Sequence, residues 1–232
     1  MERHRWDLAP DEAIALQREL RARVQTTNDF DPGALKTVAG IDASYKGDEG
    51  RAAVVVLSYP DLQIVDQAVA TMAAPFPYVP GLLSFRETPV VLAAWGKLTV
   101  RPDLLILDGQ GYAHPRRFGL ACHLGLLLDL PALGCAKSVL TGRYTDLGEA
   151  AGDQGPLVDR NSETVGVALR SKVRTNPLII SVGHKIDLPT AVHIVQSCLR
   201  GYRLPEPTRR AHNRASQTKS GDPTPAAQPT LL

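Results

Sequence analysis

The 232-residue sequence predicts one mixed α/β domain, on three observations. Three extended runs follow one another between residues 37 and 70, separated by polar turns, the pattern of an antiparallel meander. A later run over residues 103–108 is apolar on both faces, which places it in a sheet interior covered by helices on both sides. From there to about residue 200 helical and extended patterns alternate, adding further helix-covered strands.

Taken in order, residues 11–25 are predicted as a helix: Pro10 precedes the acids Asp11 and Glu12, and Leu16, Leu20 and Val24 recur at every fourth position. The meander strands are expected at 37–42, 52–58 and 62–70, with Tyr59-Pro60-Asp61 turning between the last two. Residues 74–81 carry three prolines and are expected as a rigid exposed loop, because proline removes a donor and fixes φ. Residues 82–98 read as a helix whose Pro89 demands a break or a reason. The buried strand 103–108 follows, then a helix at 117–129 and a strand at 132–136. The Gly- and Asp-rich stretch 141–163 reads as a long ordered loop, ahead of strands at 164–170 and 178–182. A helix over 188–200 is capped by Asp187 and started by Pro189. Ser, Thr, Pro, Gln and Ala dominate from about residue 215, so the folded domain is expected to span 1–214 and a disordered tail 215–232.

Composition is that of an ordinary globular chain, 44% hydrophobic and 22% charged. No run is long and apolar enough to span a bilayer, and the first residues lack an apolar signal segment. Cys122, Cys135 and Cys198 are odd in number and lack metal-binding spacing, which reads as reduced thiols in a cytoplasmic protein. The net charge of +2 hides an asymmetry: residues 165–220 hold ten Lys or Arg against two acids, Asp187 and Glu206. Such a basic surface suits a polyanion, although a solvated basic face would look the same.

Asp42 and Asp108 each close an apolar run, and Glu87 follows Arg86 at a helix start. An ionised carboxylate is costly to bury at a strand end without a partner. A hard divalent cation such as Mg²⁺ or Mn²⁺, bound through a few carboxylates and substrate phosphate oxygens, supplies one. The donor set contains no cysteine, which argues against zinc. These acids point to a metal-dependent enzyme acting on phosphate esters, and the simpler reading is two turn-capping aspartates. The acids would be sheet neighbours if the first and fourth strands lie side by side, an arrangement like the ribonuclease H fold.

Several motifs resemble the endonuclease V family and occur in that family's order across residues 36–214. They are Pro77-Tyr78-Val79-Pro80-Gly81 continuing to Arg86-Glu87, Asp108-Gly109-Gln110-Gly111 continuing to His114-Pro115-Arg116, Gly134-Cys135-Ala136-Lys137, Gly183-His184, and the run from Leu204 to His212. Val79 and Cys135 stand where the family more often has Ile and Val. The resemblance implies a ribonuclease H-like fold and a Mg²⁺-dependent endonuclease, with Mn²⁺ as substitute, that repairs deaminated bases. Its implied substrate is deoxyinosine in DNA, and in some members inosine in RNA. Its implied cut lies at the second phosphodiester 3′ to the lesion, leaving 3′-hydroxyl and 5′-phosphate ends. It assigns Asp42, Glu87 and Asp108 as metal ligands, Lys137 as the catalytic lysine, His212 to the vicinity of the metal, and Tyr78 as the wedge that fills the gap left by a displaced base. Pro80, Gly81, Arg86, Gly109, Gly111, His114, His184 and His212 are expected to contact substrate.

Residue chemistry fits this reading without requiring it. Read alone, Lys137 is an ordinary surface lysine; His114 could touch phosphate or hold Asp108 in place and could equally be a turn histidine; Tyr78, held between prolines, could be a wedge or pack on the core. Gly109 and Gly111 would allow close backbone approach to a base or phosphate. They lack the third glycine of a dinucleotide fingerprint, and no Walker motif is present. A junction resolvase or RNA–DNA hybrid nuclease would share the acids but not the Pro-Tyr-Val-Pro strip. A catalytically dead nucleic-acid-binding module would have lost one of the acids or Lys137.

Overall fold

The structure is a computed structural model that describes residues 4–217. Its elements are α1 (Pro10–Arg21), β1 (Thr37–Lys46), β2 (Glu49–Ser58), β3 (Ile64–Ala73), α2 (Leu83–Trp95), β4 (Leu104–Leu107), α3 (Leu120–Leu128), β5 (Ala132–Ala136), β6 (Arg143–Tyr144), β7 (Gln154–Val158), β8 (Thr164–Leu169), β9 (Leu178–His184), α4 (Leu188–Ser197) and α5 (Glu206–Ser216). The expected mixed α/β architecture is present as a nine-stranded sheet in the order β3-β2-β1-β4-β5-β9-β8-β7-β6. β1, β2 and β3 form the antiparallel meander, and β4 runs parallel to both β1 and β5. The first and fourth strands therefore do lie side by side, with Ile41 opposite Leu107.

Strand alternation divides the core between the two faces of the sheet. On one face Val38, Leu104, Ile106 and Leu133 pack with Ala191, Ile194 and Val195 of α4 and with Ala211 of α5. On the other, Ala39, Ile41, Leu105 and Leu107 meet Val90, Val91 and Ala94 of α2 and Ala121 and Leu124 of α3. β4 is buried at all four positions, as its unbroken apolar run requires.

Several expected boundaries move for identifiable reasons. β1 continues four residues past Asp42, because β2 pairs with it along its whole length. α1 stops at Arg21 rather than 25, since the backbone of Gln25 is engaged elsewhere: its N–H donates to His184 Nδ1 at 3.3 Å and its carbonyl accepts from Lys185 N at 2.8 Å. Pro89 does not break α2. It lies inside a helix with ten of thirteen residues buried, and that burial offsets the backbone bond proline cannot make. The stretch 141–163 is not all loop. It contains the short outer strands β6 and β7, hidden from sequence reading by Gly155 and Pro156, residues that weaken a strand signal but are tolerated near a sheet edge.

α5 was not foreseen either, because Pro205 and Pro207 mask its first turn, where proline is in fact tolerated. This helix extends through Ser216, two residues beyond the expected domain end at 214. Residues 218–232 of the expected tail lie outside the described residues.

α5 lies directly on β1. A Cβ at Gly40 would sit 1.9 Å from the Pro207 carbonyl oxygen, so only glycine permits the approach. Two and four residues further along the same face of β1, Asp42 meets His212 and Ser44 Oγ donates to the Ala215 carbonyl at 2.7 Å. The strand's period of two thus matches helix positions 208, 212 and 215. Gly40→Ala should destabilise the protein by roughly 1–3 kcal/mol through overpacking, measured by urea unfolding. Gly96→Ala, whose added Cβ would lie an ordinary 3.5 Å from the nearest atom, should be neutral or slightly stabilising. Equal effects of the two would show that the α5–β1 contact is not tight.

Candidate metal centre and its surrounding loops

The site forms where β4 ends and β1 does not. Asp108 follows the last residue of β4, and its N–H donates to the Ile41 carbonyl at 2.9 Å, which locks it beside Asp42. Beyond this point β1 has lost its β4 neighbour, so the two acids sit at the carboxyl ends of two parallel strands, a recurrent place for ligands in α/β sheets. β5 ends just across β4, and Lys137 follows it.

Asp42, Asp108 and His212 each place a ligand atom within 4.8 Å of the others'. His212 Nδ1 lies 2.7 Å from Asp42 Oδ2. The Lys137 ammonium is ion-paired with Asp108 Oδ2 and stands 3.3 Å from His212 Nδ1. Glu87, buried in α2, lies outside this tight trio but feels the charge of both aspartates.

Electrostatically the corner is strained towards a cation. Burial, and then the charge of Asp108, push Asp42 up to about 6 despite His212 and Lys137. Burial, followed by Asp42 and Asp108, raises Glu87 well above the usual carboxylate range. Asp108 Oδ2 is buried and receives no hydrogen bond within the protein, its ion pair with Lys137 aside. An oxygen-rich donor set with one imidazole and mutual like-charge repulsion fit a hard or borderline divalent ion.

Lys137 is held from both sides by groups that sequence reading did not single out. Arg203 Nη2 donates to its carbonyl at 2.5 Å, and Gln110 Nε2 donates to the next carbonyl, that of Ser138, at 2.7 Å. Neither residue lies near Lys137 in sequence, and an arginine in a basic segment gives no sign that it is a backbone clamp.

The proline-rich loop leads into α2, the helix that carries Glu87. Tyr78 is 70% exposed, so it does not pack on the core. Pro80 is exposed as well. Gly81 turns the loop into α2 with φ +79°, a conformation that favours glycine. Its carbonyl accepts from Arg116 Nη2 at 2.6 Å, His114 Nε2 at 3.0 Å and Gln17 Nε2 at 3.1 Å. Arg116 Nε also donates to Gln17 Oε1 at 2.5 Å. Three donors from α1 and the 109–119 loop thus fix one carbonyl three residues after Tyr78.

Several residues expected at the substrate take other places. His114 is buried beneath this loop, not beside Asp108. Its Nδ1 accepts from Arg116 N at 3.1 Å, and burial, followed by the Arg116 charge, lowers its pKa to about 4, so it is a neutral Nε2–H donor. Arg86 is buried and donates to the Phe76 and Gly47 carbonyls at 2.8 and 3.0 Å, tying the loop to the β1–β2 turn, with its guanidinium 4.5 Å above the Tyr45 ring. Gly111 lacks a side chain for packing: a Cβ there would sit 2.1 Å from the Val182 carbonyl oxygen. At Gly109 an added Cβ would press on Leu120 at 3.2 Å. His184 pairs with Ala132, at the opposite end of β5 from Lys137, and is buried against α1's exit. The structure does not bring it to the carboxylates.

The endonuclease V family model matches residues 18–213. The chain is 53% identical over 215 residues to endonuclease V of Gloeobacter violaceus, an alignment covering 90% of this chain and 86% of that protein. The crystal structure of endonuclease V from Streptomyces avermitilis matches with a TM-score of 0.85 at 44% identity, covering 90% of this chain and 92% of that one. That of Ciona intestinalis endonuclease V in complex with a 24mer DNA containing an inosine followed by a ribo-adenosine matches with a TM-score of 0.75 at 27% identity, covering 88% and 95%. By sequence, by fold and by the order of its motifs, this chain belongs to the endonuclease V family.

Proposed function

We propose that this protein is a Mg²⁺-dependent endonuclease that nicks DNA, and inosine-containing RNA as a second substrate, at the second phosphodiester 3′ to a deaminated adenine. The observation that carries the reading is the convergence of Asp42, Asp108 and His212, with Lys137 paired at their edge. Family membership and the relative crystallised with inosine-containing DNA support the substrate. Mg²⁺ suits the carboxylate oxygens, and the imidazole of His212 makes Mn²⁺ a natural substitute. Three buried unpaired cysteines are consistent with a reducing, cytoplasmic setting.

Asp42 and Asp108 would hold the ion, His212 would complete the set, and Glu87 would add a third carboxylate from α2. Bound there, such an ion would supply a water made nucleophilic near neutral pH and charge to offset that of the phosphate. Lys137 holds a compact positive charge where a non-bridging phosphate oxygen would sit, with its backbone fixed by Arg203. Tyr78 stands free on a stiff loop, ready to stack into the helix as the altered base is turned out. His114, Arg116 and Gln17 position that loop and do not touch the chemistry.

Asp42→Ala and Asp108→Ala should each abolish nicking of an inosine duplex while leaving binding to that duplex nearly intact. Millimolar Mg²⁺ should raise the melting temperature of the wild type but not of either variant. Near wild-type nicking by Asp108→Ala in saturating Mg²⁺ would remove the metal assignment.

Lys137→Ala should slow single-turnover nicking by roughly 10²–10³-fold, the usual scale for losing one group that stabilises transition-state charge, with little change in affinity. A loss confined to affinity would reduce Lys137 to a phosphate contact. Tyr78→Ala should weaken binding to an inosine duplex about tenfold to a hundredfold, from a stacking contribution of ~1–3 kcal/mol, and weaken single-stranded binding less. Dissociation constants measured at one salt concentration decide this, since equal losses on both substrates would contradict the wedge.

A further inference from the structure

A second polar feature lies beyond the metal centre. A groove of about 1180 Å³ runs between the 115–117 turn, the chain leaving Lys137 and the β6–β7 hairpin. Both of its inner walls begin at site residues: Pro115 and Arg117 belong to the loop that follows Asp108, and Leu140 and Thr141 come three and four residues after Lys137. Four arginines line it, Arg21, Arg117, Arg143 and Arg160. Two acids also line it, Asp159 and Glu163, and both are ion-paired with Arg117. The side chains of Arg21, Arg143 and Arg160 are exposed and make no hydrogen bond or ion pair among the described residues.

The hairpin holds two of these cations in a fixed relation. Arg143 on β6 pairs in register with Val158 on β7, and Arg160 lies two residues beyond that pair. The turn carrying Arg160 is stiffened by Asp159, whose Oδ1 accepts from Asn161 N at 2.8 Å and Glu163 N at 2.9 Å. Arg117 anchors the same turn to the loop behind Asp108 by bonding Asp159 and, at 2.7 Å, Glu163. The acids of the groove are thus spent on its own architecture, and three arginines are left facing solvent.

We propose that this groove carries the phosphodiester backbone of the substrate strand away from the metal centre, with Arg21, Arg143 and Arg160 as its phosphate contacts. The proposal deepens the nuclease reading and rests on it. The groove exceeds the ~300–1,000 Å³ of an ordinary small-ligand pocket and is lined by chain segments that lead away from Asp108 and Lys137, which fits a chain rather than a single small anion. Exposed Leu140 adds an apolar wall against which a sugar or base can lie. Guanidinium groups suit phosphate by planar, two-point hydrogen bonding.

The test compares the full-length wild type with the double variant Arg143→Gln/Arg160→Gln and a charge-matched control, Lys36→Gln/Lys172→Gln, two exposed lysines outside the groove. Dissociation constants for a duplex containing one inosine are measured without divalent metal over a series of salt concentrations. Each lost phosphate contact lowers the slope of log affinity against log salt by roughly 0.9, so the groove variant should lose nearly two units of slope and at least about tenfold in affinity at low salt. The control should keep the wild-type slope. A groove variant with the wild-type slope, or equal loss in both variants, overturns the proposal. Wild-type nicking of the same duplex is read first. If it is present, either of those results refutes the groove alone; if it is absent, the nuclease reading fails and the groove assignment falls with it.

Discussion

The fold is organised around the repulsion between carboxylates gathered at one buried corner. Asp42 and Asp108 are brought together by the ladder itself, since the backbone bond from Asp108 N to Ile41 O leaves them no freedom to separate. Burial first, and the neighbouring charge of Asp108 second, favour protonation of Asp42, and its raised pKa expresses that cost. Lys137 and His212 relieve it in part, one from the end of β5 and the other from α5. Every element around the corner can be described by what it contributes to holding these groups in place against their own electrostatics.

Holding them requires close packing far from the charges. α5 reaches Asp42 only because Gly40 lets its first turn rest on β1, and Ser44 ties down its last. Lys137 stays at the edge because Arg203 and Gln110 fix the backbone on either side of it. The exposed Tyr78 is placed by three donors converging on the Gly81 carbonyl. Arg86, His114, Arg116 and Arg203 therefore serve as backbone clamps, while Tyr78, Arg21, Arg143 and Arg160 stand exposed.

How much of this could be read from the residues differs by element. The meander and the buried β4 followed from patterning, which permitted but did not require the adjacency of Asp42 to Asp108, and the family followed from the motifs. α5 was hidden because its prolines occupy the first turn, and β6 and β7 because their signal is too short and too rich in Gly and Pro. The motif residues Arg86, His114, Gly111 and His184 also make packing and backbone contacts within the protein that the motifs did not announce. A motif shows which residues matter, but a chemically reactive side chain and a structural one look alike in it. Only the partners distinguish them: Arg86 faces carbonyls, whereas Asp108 faces the Lys137 ammonium beside a second carboxylate.

The central claim is that this acidic corner binds a divalent ion in order to cut beside a deaminated base. The most direct measurement is nicking of an end-labelled duplex carrying a single inosine, beside the same duplex with adenine at that position, in Mg²⁺ and in EDTA. The account predicts one nick, at the second phosphodiester 3′ to inosine, with a 3′-hydroxyl end, only in Mg²⁺ and only on the inosine strand. Cleavage that persists in EDTA, or that proceeds equally on the adenine duplex, would contradict it.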